Sequence, residues 1–246
     1  MSFREDLYAG RHVVVVGGSS GIGWSIARAF AAHGASVIAT GATVEEVDAA
    51  RAEESGAGLS YCLLDVRDDA AVRETIGDAG AVDVLVNCAG VIRRGLTEHD
   101  PAVFADVVDI NLNGTMRCCA AARDALRRSS GCIINTASML SFFGSGAVPA
   151  YAASKGGIAQ LTKSLAIAYA ADGIRVNALA PGYIATRLTG ALQEDAASSA
   201  AIVARTPMRR WGQADDVAQA ALFLASPAAS FITGAVLPVD GGYLIA

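Results

Sequence analysis

Tyr151 and Lys155 stand four residues apart in the stretch Tyr151-Ala152-Ala153-Ser154-Lys155. On a helix that spacing puts both side chains on one face, within reach of the same ligand. A phenol beside an ammonium has its ionised form favoured, which draws the tyrosine pKa down from about 10 toward the working range. Tyr151 is then a candidate proton donor and acceptor for a carbonyl/alcohol pair. Ser138 follows the apolar run Ile133-Ile134-Asn135-Thr136-Ala137 and can hydrogen-bond the same substrate oxygen. A Tyr-x-x-x-Lys pair also arises by chance, because both residues are common, so the surrounding elements must decide.

The elements that would position this pair are those of a nucleotide fold. Arg11-His12-Val13-Val14-Val15-Val16 reads as a β-branched strand running into Gly17-Gly18-Ser19-Ser20-Gly21-Ile22-Gly23. A helix follows, with Ile26 and Phe30 on its inner face, closing at His33-Gly34. Strand, glycine turn and helix in that order offer bare backbone amides and a helix N-terminus to a pyrophosphate. A second strand, Ser36 to Thr40, ends where an acid would bind the adenosine ribose 2′-hydroxyl or an arginine the 2′-phosphate. The segment Thr40-Gly41-Ala42-Thr43 has neither, so the choice between NAD and NADP stays open, with a lean to NAD because a phosphate would lack a counter-charge.

Further strands are expected at Leu59 to Leu64, Val82 to Val86, Ile133 to Thr136, Arg175 to Leu179 and Ala235 to Val239. A helical pattern runs from Pro101 to about Arg128, with Phe104, Val107, Val108, Ile110, Met116 and Leu126 as core candidates and Asn111 as an interruption. The helix opened by Tyr151 runs to about Ala171, and another spans Ala214 to Ala225. Residues 183–212 show no strong periodicity and read as a lid over a site. Strands alternate with helices throughout, which predicts one α/β domain over 1–246: a Rossmann-type, doubly wound parallel sheet of about seven strands.

Composition excludes several functions. The chain has 246 residues, 53% hydrophobic and 17% charged, which suits a sheet covered on both faces. No apolar run approaches the roughly 20 residues of a membrane span. The segment Met1-Ser2-Phe3-Arg4-Glu5-Asp6 lacks a signal-peptide core. A net charge of −5 without a basic run argues against a nucleic-acid partner. Cys62, Cys88, Cys118, Cys119 and Cys132 have no metal-ligand spacing and read as reduced thiols of a cytoplasmic protein, so no metal is expected.

With these pieces in order, the chain resembles the short-chain dehydrogenase/reductase family from end to end. The resemblance is carried by Gly17-x-x-x-Gly21-x-Gly23, Asp65, Asn87-Cys88-Ala89-Gly90, Asn111, Ser138, Tyr151-x-x-x-Lys155 and Pro181-Gly182. It implies an NAD(P)-dependent oxidoreductase with Ser138, Tyr151 and Lys155 as catalytic triad and Asn111 completing a proton relay. It implies cofactor contacts from Gly17, Ser19, Ser20, Gly21, Ile22 and Gly23, then Thr40, Gly41, Asp65 and Val66. Asn87, Ala89, Gly90, Tyr151, Lys155, Pro181, Gly182, Ile184 and Thr186 would complete them, with Asp65 on the adenine amino group. Two departures stand out: Val16 where the family has threonine, and Cys88 where it has a second asparagine. Both are expected to be structural.

Within the family, Ala89 to Arg94, Ala137 to Phe142, Ala180 to Thr186 and Arg210-Trp211-Gly212 are most similar to the sugar-acid branch, the 2-keto-3-deoxygluconate dehydrogenases. Arg93 and Arg94 could clamp a substrate carboxylate, or they are solvated or paired with Glu98 and Asp100. Met139, Tyr183 and Arg187 are further substrate candidates. A 3-oxoacyl thioester reductase of the same fold and a non-catalytic dinucleotide sensor are the rival readings. The small, apolar helices and the C-terminal Gly242-Tyr243-Leu244-Ile245-Ala246 point to a homotetramer, with a dimer as alternative.

Overall fold

The computed structural model describes residues 3–53, 56 and 58–246. Met1 and Ser2, part of the N-terminal stretch considered above, lie outside the described residues. In chain order the strands and helices are β1 (His12–Val16), α1 (Gly21–Ala32), β2 (Ser36–Gly41), α2 (Val44–Glu53), β3 (Leu59–Leu63) and α3 (Asp69–Val72). They continue with β4 (Val84–Asn87), α4 (Pro101–Val108), α5 (Gly114–Ser129), β5 (Cys132–Thr136), α6 (Pro149–Tyr169) and β6 (Arg175–Pro181). The last are α7 (Gly190–Glu194), α8 (Ala196–Arg205), α9 (Ala214–Ala225) and β7 (Val236–Val239). Seven parallel strands form one sheet in the order β3-β2-β1-β4-β5-β6-β7. This is the Rossmann-type, doubly wound domain that the alternating pattern predicts.

Strand alternation distributes the core. Val13 and Val15 of β1 pack on one face with Ile26, Ala27 and Phe30 of α1 and with Val217, Ala221 and Leu222 of α9. Val14 and Val16 face the other side, toward Cys118, Cys119, Ala122 and Leu126 of α5 and Leu165 of α6. The reversal of strand order lies between β1 and β4, so the crevice at their C-terminal ends is where a ligand of such a sheet binds. The glycine turn, Ala89-Gly90 and the loop from Val91 all open there. No helix among the described residues is long and apolar enough to cross a membrane.

Two expectations need correction. The helical run from Pro101 to Arg128 is broken into α4 and α5 by a π turn over Asp109–Asn113, centred on Asn111. The wider turn rotates one half against the other, so there is no continuous apolar stripe. Val107 and Leu126 are buried as expected, but Phe104 and Met116, expected in the core, are both 38% exposed. Residues 183–212 are not irregular: they carry α7 and α8. These are rich in alanine and serine, so helix propensity acts there with little apolar periodicity to reveal it.

Candidate active site

The glycine turn is shaped by close approach of main chains. Gly17 has φ +75°, and a Cβ there would stand 2.5 Å from the Ala89 nitrogen; at Gly23 it would stand 2.2 Å from the Gly17 oxygen. The turn and the Asn87-Cys88-Ala89 segment thus lock together with no room for side chains. Thr40 of β2 adds its hydroxyl, which accepts the Gly17 N–H at 3.2 Å. That contact ties the turn to the neighbouring strand although Val16 has no hydroxyl to offer. Thr186 lies over the turn, 3.6 Å from a Cβ built on Gly21. Asn87 Oδ1 is buried at the end of β4 without a partner. A cradle of bare main chain that any Cβ at Gly17 or Gly23 would fill fits a dinucleotide.

Other expected cofactor residues are placed with less freedom. Both Asp65 oxygens accept from Arg67, which holds the carboxyl below its ordinary range. Val66 is buried against Gly114. Pro181 ends β6, and the Gly182 N–H donates to the Val239 oxygen at 3.0 Å. Ile184 is buried and bridges to Gly212.

The predicted catalytic residues converge at the head of α6. Pro149 in the first turn fixes the start of this helix and brings Tyr151 and Lys155 onto its inner face. Lys155 Nζ donates to the Thr136 oxygen at 2.6 Å and stands 5.7 Å from the Tyr151 ring centroid. Ser138 follows β5; its hydroxyl accepts the Leu140 N–H at 3.1 Å and acts on the Tyr151 phenol, opposing the rise of its pKa. Asn111 is fully buried. Its Oδ1 accepts the Val91 N–H at 2.8 Å, while Nδ2 donates to the Val91 oxygen at 2.9 Å and to Ser154 Oγ at 3.1 Å. Gly90 sits between Asn111 and Lys155, with its Cβ position 3.2 Å from Asn111 Oδ1 and 3.6 Å from Lys155 Nζ.

The electrostatics differ from expectation. Burial raises the Tyr151 pKa above its ordinary value; Ser138 and the charge of Arg94 oppose that rise, and Glu98 adds to it. Lys155 was expected to draw the phenol down, but its own pKa is lowered to about 8 by burial. Its ammonium is turned to the Thr136 carbonyl at 2.6 Å, with the Tyr151 ring centroid 5.7 Å away. Arg94 adds a second cation, whose charge opposes the rise at the phenol.

The five substrate candidates separate. Arg94 reaches toward the 183–212 segment, donating to the Leu188 oxygen at 3.3 Å, and its charge acts on both Tyr151 and Tyr183. Arg93 is turned away, with its side chain 3.4 Å from Asp106. Its backbone N–H donates to Glu98, so neither of its bonds involves Asp100, the other acid considered for it. Arg187 pairs with Glu46 at 3.5 Å, on the cofactor side of the crevice. Met139 is buried in the turn after Ser138. Tyr183 packs edge-on against Trp211 and Tyr243.

Sequence reasoning offers no sign of Ser154 or Thr136, and it brings in Glu98 only as a partner of the arginines. Thr136 acts through its main-chain oxygen, which no residue type announces. Glu98 precedes an Asp-Pro helix start among other polar residues, so nothing in the sequence separates it from a solvated acid. Cys88, expected to be structural, contacts Thr136 Oγ1 at 3.1 Å and lies beside Lys155.

Comparison with known proteins agrees with this geometry. The family model described as enoyl-(acyl carrier protein) reductase matches residues 16–244. The 2-dehydro-3-deoxy-D-gluconate 5-dehydrogenase of Bacillus subtilis (strain 168) is 40% identical over 252 residues, covering 99% of both chains. The chain belongs to the short-chain dehydrogenase/reductase family. It is an NAD(P)-dependent oxidoreductase that transfers a hydride between nicotinamide and a carbonyl/alcohol substrate. Another family member, galactitol 2-dehydrogenase (L-tagatose-forming) of Cereibacter sphaeroides, is 40% identical over 99% of this chain and 97% of its own. A gluconate 5-dehydrogenase from Burkholderia cenocepacia J2315, solved in complex with NADP and tartrate, superposes with a TM-score of 0.90 at 36% identity, covering 98% of each chain.

Proposed function

We propose that this enzyme interconverts a hydroxyl and a carbonyl on a sugar acid, with Tyr151 as the proton-transfer residue. Bound NAD(P) supplies the hydride donor or acceptor. The glycine turn and the segments after β4 and β6 would hold it. In reduction the Tyr151 phenol gives its proton to the substrate oxygen, and in oxidation the phenolate takes it back. Ser138 orients that oxygen. Lys155, braced on Thr136, keeps the floor of the crevice in place, and Asn111 ties the loop from Val91 to α6. The raised pKa of Tyr151 keeps the phenol protonated and ready to donate.

The observation that carries the substrate reading is Arg94, whose charge acts on the Tyr151 phenol from the adjacent loop. A carboxylate bound there would fix which carbon meets the proton donor. The test is a panel of D-gluconate, related sugar acids and D-glucitol, a neutral polyol of matching hydroxyl pattern, assayed with NAD and NADP. Preference for the acids supports the reading. Equal rates on D-glucitol favour the polyol alternative, which the galactitol-oxidising relative makes the natural second reading.

For the cofactor the reading leans to NAD. Gly41-Ala42-Thr43 itself carries no cation, and Glu46 accepts the Ala42 N–H at 3.0 Å, placing there a carboxylate that already engages Arg187 at 3.5 Å. Against this, the Burkholderia relative holds NADP, so the assay with both cofactors decides. A homotetramer is supported by exposed apolar side chains: Met116 on α5, Ile167 on α6 (81%), Phe231 and Ile245 (90%). Light scattering at micromolar concentration checks it, and a monomer would refute it. A cytoplasmic setting is supported by five free cysteines.

A further inference from the structure

Among the described residues Glu98 is the only buried carboxylate, with 0% of its surface exposed. Desolvating a charged carboxylate is costly unless its oxygens are answered by donors. Here both are answered by main chain: Oε1 accepts the Arg93 N–H at 2.8 Å and Oε2 accepts the Tyr151 N–H at 2.8 Å. The second contact lies at the N-terminus of α6. The preceding residue, Val148, has no side chain that could cap the helix, Pro149 has no N–H, and Tyr151 is its third residue. A carboxylate at this point also meets the positive end of a 21-residue helix. The chain turns sharply to deliver it. Gly95 has φ +72° and Leu96 φ +64°, and for a bulky residue such as leucine a left-handed backbone is rare.

We propose that Glu98 is a positioning residue of the reaction, one that locks the proton-donating tyrosine to the loop carrying Arg94. The proposal rests on the reading of Tyr151 as proton donor. Its argument is that the same two segments are joined twice. Asn111 binds Val91 through both its amide groups and reaches Ser154, whose hydroxyl donates to the Tyr151 oxygen at 2.8 Å. Glu98 binds Arg93 and the Tyr151 nitrogen. One brace therefore holds the carbonyl side of Tyr151 and the start of the loop. The other holds its N–H side and the loop two residues on. Arg94 follows directly, so Glu98 sets where its main chain stands relative to Tyr151, while the Leu188 carbonyl holds its guanidinium. In a sugar acid the spacing of Arg94 and Tyr151 selects the carbon that faces the proton donor, and a small misplacement of the reacting groups is costly in rate.

The test compares Glu98→Gln, Glu98→Asp and Tyr151→Phe with wild type, using D-gluconate and NAD or NADP, whichever wild type prefers. In Glu98→Gln an amide NH₂ must face one of the two N–H donors, so one clamp is lost along with the charge. The proposal predicts kcat lower by on the order of ten- to a hundredfold, as expected for misplaced reacting groups, with cofactor binding unchanged. It also predicts a shifted pH profile. The phenol is faced by Ser138 from the turn after β5, by Arg94 and Glu98 from the loop after β4, and by Lys155, itself beside Cys88, on its own helix. Removing the negative charge among these favours the phenolate, so the limb on which alcohol oxidation rises with pH moves to lower pH. A lower thermal midpoint with wild-type kcat and pH limb would make Glu98 a helix cap only and overturn the proposal. Should Glu98→Gln not fold, Glu98→Asp keeps the charge on a shorter arm. Lower kcat at an unmoved pH limb then supports the role, and wild-type kcat overturns it. If Tyr151→Phe keeps wild-type turnover, the proton-donor reading itself fails. If Tyr151→Phe is inactive while Glu98→Gln matches wild type, only the role of Glu98 fails.

Discussion

The two sides of the crevice are built differently. On the cofactor side, contact is main chain on main chain: Gly17 lies against Ala89, Gly23 against Gly17, and Gly182 donates to Val239. On the substrate side it is made by side chains reaching other segments. Arg93 reaches the Asp106 carboxylate and Arg94 reaches the Leu188 carbonyl. A main-chain cradle tolerates little substitution, because a Cβ on Gly17, Gly23 or Gly182 meets backbone. Paired side chains at a half-exposed rim can be exchanged one at a time. Relatives sharing the fold and the hydride chemistry can therefore differ in substrate while the cofactor side stays fixed.

The largest expected effect breaks the first side. Gly17→Ala forces a Cβ into Ala89 at a positive φ, and the backbone conformation alone costs about 1–3 kcal/mol. Cofactor binding should be lost and the thermal midpoint should fall. A variant with wild-type cofactor affinity would show that the turn can open without harm.

Next is Arg94→Ala. Losing one charge-assisted pair costs about 1.5–3 kcal/mol, so the KM for D-gluconate should rise roughly ten- to a hundredfold while that for D-glucitol changes little. Equal losses on both substrates would assign Arg94 to the fold or the cofactor. Arg93→Ala sharpens the contrast, since its side chain only pairs with Asp106 at the surface. Exposed pairs are worth about 0–1 kcal/mol, which limits the change in KM to less than about fivefold. A larger rise on the carboxylated substrate alone would return Arg93 to the site.

The smallest effect concerns the cofactor. Glu46→Gln removes the carboxylate beside Ala42 and should move the NAD/NADP preference toward NADP by about two- to fivefold, the scale of a part-exposed charge. An unchanged ratio would show that Glu46 does not face the 2′ position. Gly41→Asp is the companion variant. Its Cβ would stand 2.8 Å from Ser19 Oγ, so the new carboxylate must displace that side chain as it sharpens NAD preference.

The same division explains what was legible in the sequence. The seven strands, the glycine turn, α9 and the approach of Ser138, Tyr151 and Lys155 follow from local pattern and agree with the structure. Asn111 was flagged as unfavourable in a helix, and it occupies a π turn whose side chain braces two segments. Phe104 and Met116 are more exposed than the helical pattern predicts because that π turn breaks its period. The helices of 183–212 were missed because alanine and serine carry propensity without periodicity. Glu98 was considered only as a partner of the arginines; its burial depends on two backbone donors 58 residues apart (Arg93 and Tyr151) and on the left-handed Leu96. The tyrosine pKa was expected to fall because sequence spacing shows that Lys155 is near but not that Thr136 claims its ammonium.

The central claim is that Tyr151 moves the proton. It is tested most directly by mixing Tyr151→Phe with saturating cofactor and D-gluconate and following nicotinamide reduction beside wild type. The ring and its packing stay while the transferable proton goes. General acid–base catalysis contributes on the order of 10²–10⁴ in rate, and the account predicts a loss of that size with cofactor affinity intact. Wild-type turnover by Tyr151→Phe would contradict it.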